Sequence, residues 1–306
     1  MAQETPVKLN IVEAANQIQQ GLETYAPATA RGLAILNSVN LKLLTIAQEI
    51  GPQLAPLFGA LAQIDWTEAM RRVDELPAKS KAAMTVAAAK GWFFGWNDSL
   101  QSVMELVEKL DVTREHTIDE VMAQYYRENL QFLTDELVSR HPDRAPVIKA
   151  AVNAHRTVGG DGYFLSIPVF IAQADGLLTE ITKVRSALMK EGRGQQELQA
   201  SKALREQLAA DQESLDLIHP LLKLHELDFM KSTDARKLAV QTTGEAFTAL
   251  NRHQVMHGES WDYGTEMNSL KAFSLLAFVG THLPSVLEHE RSNVASDNGM
   301  PTPTVE

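Results

Sequence analysis

The chain has 306 residues and no cysteine. Without a thiol there is neither a disulfide nor a thiolate metal site, which excludes disulfide-stapled secreted folds and cysteine-ligated zinc modules. A basic excess is also missing, because 39 acidic residues outnumber 28 lysines and arginines and give a net charge of −11. This charge is unlike that of a general nucleic-acid binder, but it is compatible with a locally positive cleft.

Long apolar runs and targeting signals are absent as well. Residues 1–6 have neither a basic segment nor an apolar core, so they do not resemble a signal peptide. The most apolar stretch, from Leu33 to Ile64, is interrupted by polar side chains and by Gly51-Pro52. A membrane helix needs about 20 predominantly apolar residues in a row. We therefore expect no membrane span and a cytoplasmic protein.

Apolar residues at helical spacing are present along nearly the whole chain. Thr117 followed by Glu120 predicts a capping box at the start of a long helix, and a second long helix is predicted from about Tyr163 to Lys190. No run alternates apolar and polar residues as a strand does. These patterns predict an all-α fold, a multi-helix bundle of about ten helices.

The sequence predicts two boundaries, one near residue 145 and one near residue 290. The segment from Arg140 to Asp143 contains Pro142, which favours a domain boundary near residue 145. We therefore expect a helical region of unknown role over residues 1–145 and a second helical domain over residues 146–290. Residues 291–306 have the composition of a disordered tail.

Two apolar segments each allow two interpretations. Residues 91–96 hold four aromatic side chains, which predicts a buried junction between helices, with a ligand-stacking platform as the alternative. The second long helix includes Gln173, Asp175 and Glu180 in apolar surroundings. Such residues are either exposed or part of a polar network that faces a functional site.

The run from Asn251 to Gly258 contains the best candidates for chemistry. Arg252 is a permanent cation that forks onto phosphate oxygens, and His257 can exchange a proton near neutral pH. Five positions on a straight helix separate the two side chains by about 140°. Gly258 favours a helix end in the left-handed conformation, which would place His257 at the terminus. We predict that a helix capped by Ser232 or Thr233 reaches about Met256.

The spacing of this motif resembles that of a known superfamily. The pattern of the HEPN superfamily is an arginine, four to six residues of which the first is usually polar, and then a histidine. Arg252, His253 and His257 match it. The wider sequence, with Asp262-Tyr263-Gly264-Thr265 and Asn268-Ser269-Leu270-Lys271-Ala272 behind the motif, is similar to that of bacterial HEPN-type proteins of phage defence and abortive infection. The resemblance covers roughly residues 150–285.

The resemblance implies a HEPN-like helical bundle in the C-terminal half. It also implies a metal-independent endoribonuclease that needs no cofactor and acts on RNA as a homodimer. Its implied role is that of a toxin or abortive-infection effector. His257 would transfer protons and Arg252 would bind the phosphate, while Asn251 and His253 would give supporting polar contacts. The 2′-hydroxyl of RNA would be the nucleophile.

Other interpretations remain open. Arg252 can simply pair with Glu245 or Glu259, and His257 can be a helix-terminal histidine stabilised by the helix dipole. The chain can also be a non-catalytic scaffold that binds RNA or a partner protein, the latter through its N-terminal half. A metal-dependent hydrolase is the third alternative, with His253, His257 and Glu259 as ligands and His225 or His282 completing the set.

Overall fold

The computed structural model describes residues 66–96, 100–113, 117–190, 197–209 and 211–289. The chain divides into two compact units, Met1–Pro77 and Ala78–Glu306. The helices predicted before residue 65 and the predicted disordered tail lie outside the described residues. The contacts discussed below belong to the second unit.

Within the described residues the secondary structure is helical, and the predicted all-α fold is confirmed. One isolated bridge, between Lys190 and Leu198, is the nearest approach to a strand in these ranges. The α-helices are, in chain order, Trp66–Ala89 (α1), Leu100–Val112 (α2), Ile118–Arg140 (α3), Ala145–Thr157 (α4), Gly160–Thr182 (α5), Gln199–Gln207 (α6), Gln212–Leu217 (α7), His219–Leu222 (α8), Thr233–Thr243 (α9), Arg252–Met256 (α10) and Glu266–Ala277 (α11). Short 3-10 turns lie at Pro142–Arg144, Leu224–Glu226 and Asp228–Met230.

Helix α11 occupies the centre of the core. It packs most extensively against α5 and also against α3, while α4 and α5 pack closely against each other. Phe273 of α11 is fully buried and meets the ring of Phe170 on α5 edge-to-face at 5.3 Å. The predicted boundary near residue 145 lies between α3 and α4, and these two helices also pack against each other.

The last helix extends beyond Pro284, although proline usually ends a helix. After α11 the chain forms a π-helical turn at Phe278–His282 and continues as a helix to His289. Proline breaks helices partly because it cannot donate to the carbonyl four residues earlier, here that of Gly280. The His141 imidazole lies 2.7 Å from that carbonyl oxygen and replaces the missing donor. The helix therefore continues without an orphaned carbonyl.

The aromatic segment 91–96 is buried, which confirms the predicted junction. Trp92, Phe93 and Phe94 are each at most 1 % exposed. The segment has no helical hydrogen bonds, and side chains of the last helix supply partners for its backbone. Ser274 accepts from the Phe93 amide at 3.1 Å, and His282 accepts from the Trp96 amide at 3.1 Å. These rings are core residues and leave no stacking face for a ligand.

Several helix ends differ from the predicted ones. Helix α3 begins directly after Thr117, but the Thr117 side chain makes no capping hydrogen bond. Helix α5 ends at Thr182, eight residues before the predicted end at Lys190, because Lys183 adopts the left-handed conformation with φ of 58°. A left-handed residue terminates a helix whatever the apolar pattern around it.

Among the described residues, two helices are long and apolar enough to satisfy a membrane-span criterion, in contrast to the expectation from the sequence. They are α5 and the helix Glu266–His289. The apolar window of the latter is 89 % buried within the structure, whereas that of α5 is 39 % buried. A core helix of a soluble protein passes the same test, so burial explains the composition of Glu266–His289 without a membrane. The expected cytoplasmic location remains a prediction.

The turn between α4 and α5 supports a stability prediction. A Cβ atom at Gly162 would lie 1.9 Å from the Ala154 carbonyl oxygen, whereas one at Gly160 would meet nothing within 4 Å. We expect Gly162→Ala to lower the free energy of unfolding by about 1–3 kcal/mol, since the two helices must separate. Gly160→Ala should leave it unchanged or slightly higher. Urea unfolding of both variants gives the comparison, and equal midpoints would contradict the close approach.

Candidate functional site

The candidate motif lies on a short helix of its own. The predicted long helix is wrong at this point, because α9 ends at Thr243 with Gly244 in the left-handed conformation (φ 73°). After an irregular segment, Asn251 caps α10 by accepting a hydrogen bond from the Gln254 amide. The interrupted chain lets α10 take a direction independent of α9.

The C-terminal end of α10 has the geometry predicted for Gly258, which adopts φ of 68°. The Glu259 amide donates to the Gln254 carbonyl at 2.9 Å, and the Gly258 amide donates to the Val255 carbonyl at 3.3 Å. This pair of bonds is a Schellman motif. His257 is therefore the last half-helical residue, and its side chain is exposed.

Arg252 forms an ion pair that the sequence analysis did not predict. Its Nη2 donates to Asp175 Oδ2 of α5 at 3.0 Å, and the two side chains are 21 % and 25 % exposed. The expected partners are not used, since Glu259 pairs with Arg236 and Glu245 forms no ion pair within the described ranges. Asp175 thus belongs to a polar contact that faces the motif, which was the alternative interpretation of the polar residues of α5.

The arginine retains capacity for a ligand. A guanidinium has five N–H donors, and Asp175 accepts one of them. The Nε atom is buried and has no partner among the described residues. The ion pair therefore fixes the position of the guanidinium without saturating it.

The two histidines of the motif stack on each other. The rings of His253 and His257 lie 5.8 Å apart with an interplanar angle of 14°. Residues four apart share a helix face, which brings these two rings together. Burial lowers the pKa of His253, and the positive charge of Arg252 lowers it further. His253 is therefore neutral at pH 7 and available as a hydrogen-bonding partner.

Arg252 and His257 themselves are not joined by a hydrogen bond in the described structure. Their five-residue separation directs them to different sides of α10, as the helical geometry predicted. In one copy of the chain, Arg252 contacts α5 through Asp175, whereas His257 contacts His253. A site that uses both at one phosphate needs either a second copy or movement of the arginine.

Asn251, expected to be a supporting contact, is 1 % exposed and is saturated by the protein. Its Nδ2 donates to the carbonyls of Asp228 at 2.7 Å and Lys231 at 2.9 Å. Its Oδ1 accepts from Arg236 at 2.9 Å and from the Gln254 amide. These bonds connect α9, α10 and the preceding turn, so the structure gives Asn251 a positioning role.

The residues behind the motif in the sequence, which also carry the resemblance, have structural roles. The Tyr263 hydroxyl donates to the Phe164 carbonyl at 3.2 Å, and a Cβ atom at Gly264 would overlap the Phe164 ring at 2.3 Å. Thr265 caps α11. The Ser269 hydroxyl lies 2.8 Å from Nδ1 of the buried His155. Each of these residues has a packing or capping role within the described structure.

The described residues do not form the complete ligand set that the alternative of a metal site requires. In the described part of the chain, no three histidine or carboxylate side chains come together as metal ligands would. Both nitrogens of His282 are engaged, one with the Leu217 carbonyl and the other with the Trp96 amide. His282 is therefore not available to His253 and His257.

A large groove lies beside α10 and was not foreseen from the sequence. Its volume is about 810 Å³, within the range of ligand-binding clefts. Helix α10 contributes Gln254 and Val255 to its wall, together with the cap Asn251. Arg252, His253 and His257 are not among its lining residues. The motif and the main concavity of this region are thus distinct.

Comparisons with known protein families, with characterised proteins and with solved structures find no match to this chain. The HEPN resemblance therefore depends on the residues quoted for it and remains a prediction.

Proposed function

We propose that the chain is a metal-independent endoribonuclease of HEPN type, with Arg252 and His257 as its catalytic residues. The observation that supports it is that one short helix, α10, carries an arginine anchored by Asp175 but not saturated and a stacked pair of histidines of which His257 is exposed. A permanent cation and an accessible imidazole are the groups that phosphodiester cleavage in RNA requires.

The chemistry needs no bound cofactor. The His257 imidazole accepts the proton of the RNA 2′-hydroxyl, and the 2′-oxygen forms a bond to the adjacent phosphorus. The bond between phosphorus and the 5′-oxygen breaks, and that oxygen takes a proton from a second imidazole. The products are a 2′,3′-cyclic phosphate and a 5′-hydroxyl. The Arg252 guanidinium stabilises the negative charge that develops on the phosphoryl oxygens.

The divergence of Arg252 and His257 on one helix makes a homodimer part of the proposal. Two copies related by a twofold axis place the arginine of one beside the histidine of the other, and also supply the second imidazole. In a cell, such an activity fits a toxin or a phage-defence effector, whose expression would stop growth.

We expect Arg252→Ala and His257→Ala each to slow cleavage of a single-stranded RNA about a hundredfold, in buffer containing EDTA. The Arg252–Asp175 pair is partly exposed, so its loss should cost no more than about 1 kcal/mol of stability. Both variants should therefore melt close to the wild type. The matched control is Arg156→Ala, an exposed arginine on α4 that hydrogen-bonds Gln131.

Wild-type rates in both variants would exclude the assignment, as would an activity that EDTA removes. The second candidate function is a non-catalytic scaffold. It is favoured by the engagement of Arg252 with Asp175 and by the position of the motif outside the large groove. A wild-type protein that cleaves no RNA at high concentration but is recovered from cells in a stable complex would support the scaffold.

A further inference from the structure

The groove beside α10 is formed in part by backbone that no other described residue hydrogen-bonds. Residues 246–250, between α9 and α10, line its wall and belong to no helix. Across these five residues, neither the N–H nor the C=O groups form a hydrogen bond within the described part of the chain. Backbone groups are strong donors and acceptors that are nearly always paired in folded proteins. The main-chain groups of this wall are therefore not committed to hydrogen bonds with the described residues.

The charges of the groove favour a basic ligand. Among the described lining residues, four carboxylates face three lysines, the third of which is Lys90. Lys271 pairs with Asp119 at 2.9 Å and Lys231 pairs with Asp228 at 2.5 Å. Two further carboxylates line the groove and are exposed, and neither forms an ion pair with a described residue: Glu245 and Asp262. Uncompensated carboxylates repel a polyanion and attract a cation.

Apolar side chains lie between these polar groups. Val240, Phe247 and Met267 line the groove and remain partly or largely exposed. A ligand that fits must therefore present apolar side chains, positive charges and main-chain donors and acceptors together. An extended peptide does so, because its successive side chains point to opposite faces while its backbone pairs along one edge.

We propose that this groove binds an extended peptide segment with alternating apolar and basic residues, paired through its main chain with residues 246–250. The lysine or arginine side chains of the peptide contact Glu245 and Asp262, and its apolar side chains cover Phe247 and its neighbours. The site is separate from Arg252 and His257 and does not depend on ribonuclease activity. An RNA strand is the less favourable occupant because the unpaired charges of the groove are negative.

The test measures fluorescence anisotropy of a labelled peptide of about seven alternating lysine and valine residues, with blocked ends, against the full chain. We expect saturable binding that weakens about tenfold in the double variant Glu245→Gln, Asp262→Asn. The matched control is Asp161→Asn, an exposed carboxylate outside the groove. Arg252→Ala should bind the peptide like the wild type, which separates this proposal from the ribonuclease.

Main-chain pairing is tested on the ligand, so that folding of the protein is not in question. The same peptide with N-methyl groups on alternate residues keeps its charges and side chains but loses donors along one edge. It should bind at least tenfold more weakly. Equal binding of the methylated peptide, no binding of the parent peptide, or tighter binding of an oligouridylate of equal length would each overturn the proposal. If the protein self-associates and thereby loses peptide binding, the occupant of the groove is a second copy of the chain instead.

Discussion

Asn251→Ala should lower the free energy of unfolding by about 3 kcal/mol. Loss of a helix cap costs about 1 kcal/mol, and leaving buried partners unsatisfied costs about 1–3 kcal/mol more. The stranded groups are the Asp228 carbonyl and one N–H of Arg236, whose side chain is only 7 % exposed and also pairs with Glu259. Urea unfolding followed by circular dichroism measures the change.

Asn153→Ala is the matched control for this variant, because Asn153 is exposed on α4. It should change stability by less than about 0.5 kcal/mol, as exposed substitutions usually do. The same experiment separates two roles for Asn251. A stable Asn251→Ala protein that has lost RNA cleavage would make Asn251 a contact to substrate, as the resemblance implied, and would contradict the positioning role.

Local signals in the sequence were sufficient for the fold class and for several helix starts. Ser232 and Thr265 cap α9 and α11 because their hydroxyls reach the amide three residues later, which depends only on neighbouring residues. The left-handed Gly258 was predictable for the same reason. Gly244 carries an equal signal, and the helix predicted to reach about Met256 is too long because it runs past this residue.

Local sequence patterns do not predict contacts between residues that are distant in the chain. Asp175 and Arg252 are 77 positions apart, and no local pattern selects Asp175 over the nearer Glu245 and Glu259. The continuation of the last helix past Pro284 likewise depends on His141, which is 139 positions from the Gly280 carbonyl that it contacts. Pairings of this kind follow from how α3, α5 and α10 pack, and packing is not encoded in one segment.

The groove was missed for a related reason. Its wall is the segment 246–250, which the sequence analysis assigned to the interior of a helix. A helix there would have satisfied its own backbone, whereas the irregular segment leaves it open to a ligand. The signal that could have revealed it is Thr242-Thr243-Gly244, a poor helix-forming sequence that ends in a glycine. A single left-handed residue thus decides whether this region is a continuous helix or an irregular groove wall.

As the pH falls, protonation of His282 should destabilise the protein before the carboxylates of the protein titrate. The ring is 1 % exposed, Nε2 donates to the Leu217 carbonyl at 3.1 Å, and Nδ1 accepts from the Trp96 amide at 3.1 Å. A protonated ring would direct a second N–H at the Trp96 N–H. Burial accordingly lowers the pKa of His282 from 6.5 to about 4, opposed only in part by the Leu217 bond.

Because the unfolded chain binds this proton more readily, the contribution of His282 is complete above about pH 6.5 and is lost as the pH falls towards 4. The shift of about 2.5 units corresponds to about 3 kcal/mol, of which about 2 kcal/mol is lost by pH 5. Burial also lowers the pKa of His155, so this residue adds a loss of the same sign. The hydrogen bond from Arg127 lowers the pKa of Glu266, whose contribution is lost only at lower pH.

The free energy of unfolding, measured by urea titration from pH 8 to pH 4.5, should be level above pH 7 and then fall. His282→Gln should be less stable than the wild type at pH 7 but should show a shallower fall, since the residue that titrates is gone. Should that variant not fold, nuclear magnetic resonance of the wild-type histidine rings gives the same answer. A His282 signal that shifts with a midpoint near 6.5 would contradict the prediction. One that stays unchanged down to about pH 5 would show that the ring remains neutral, as its acceptance of the Trp96 amide requires.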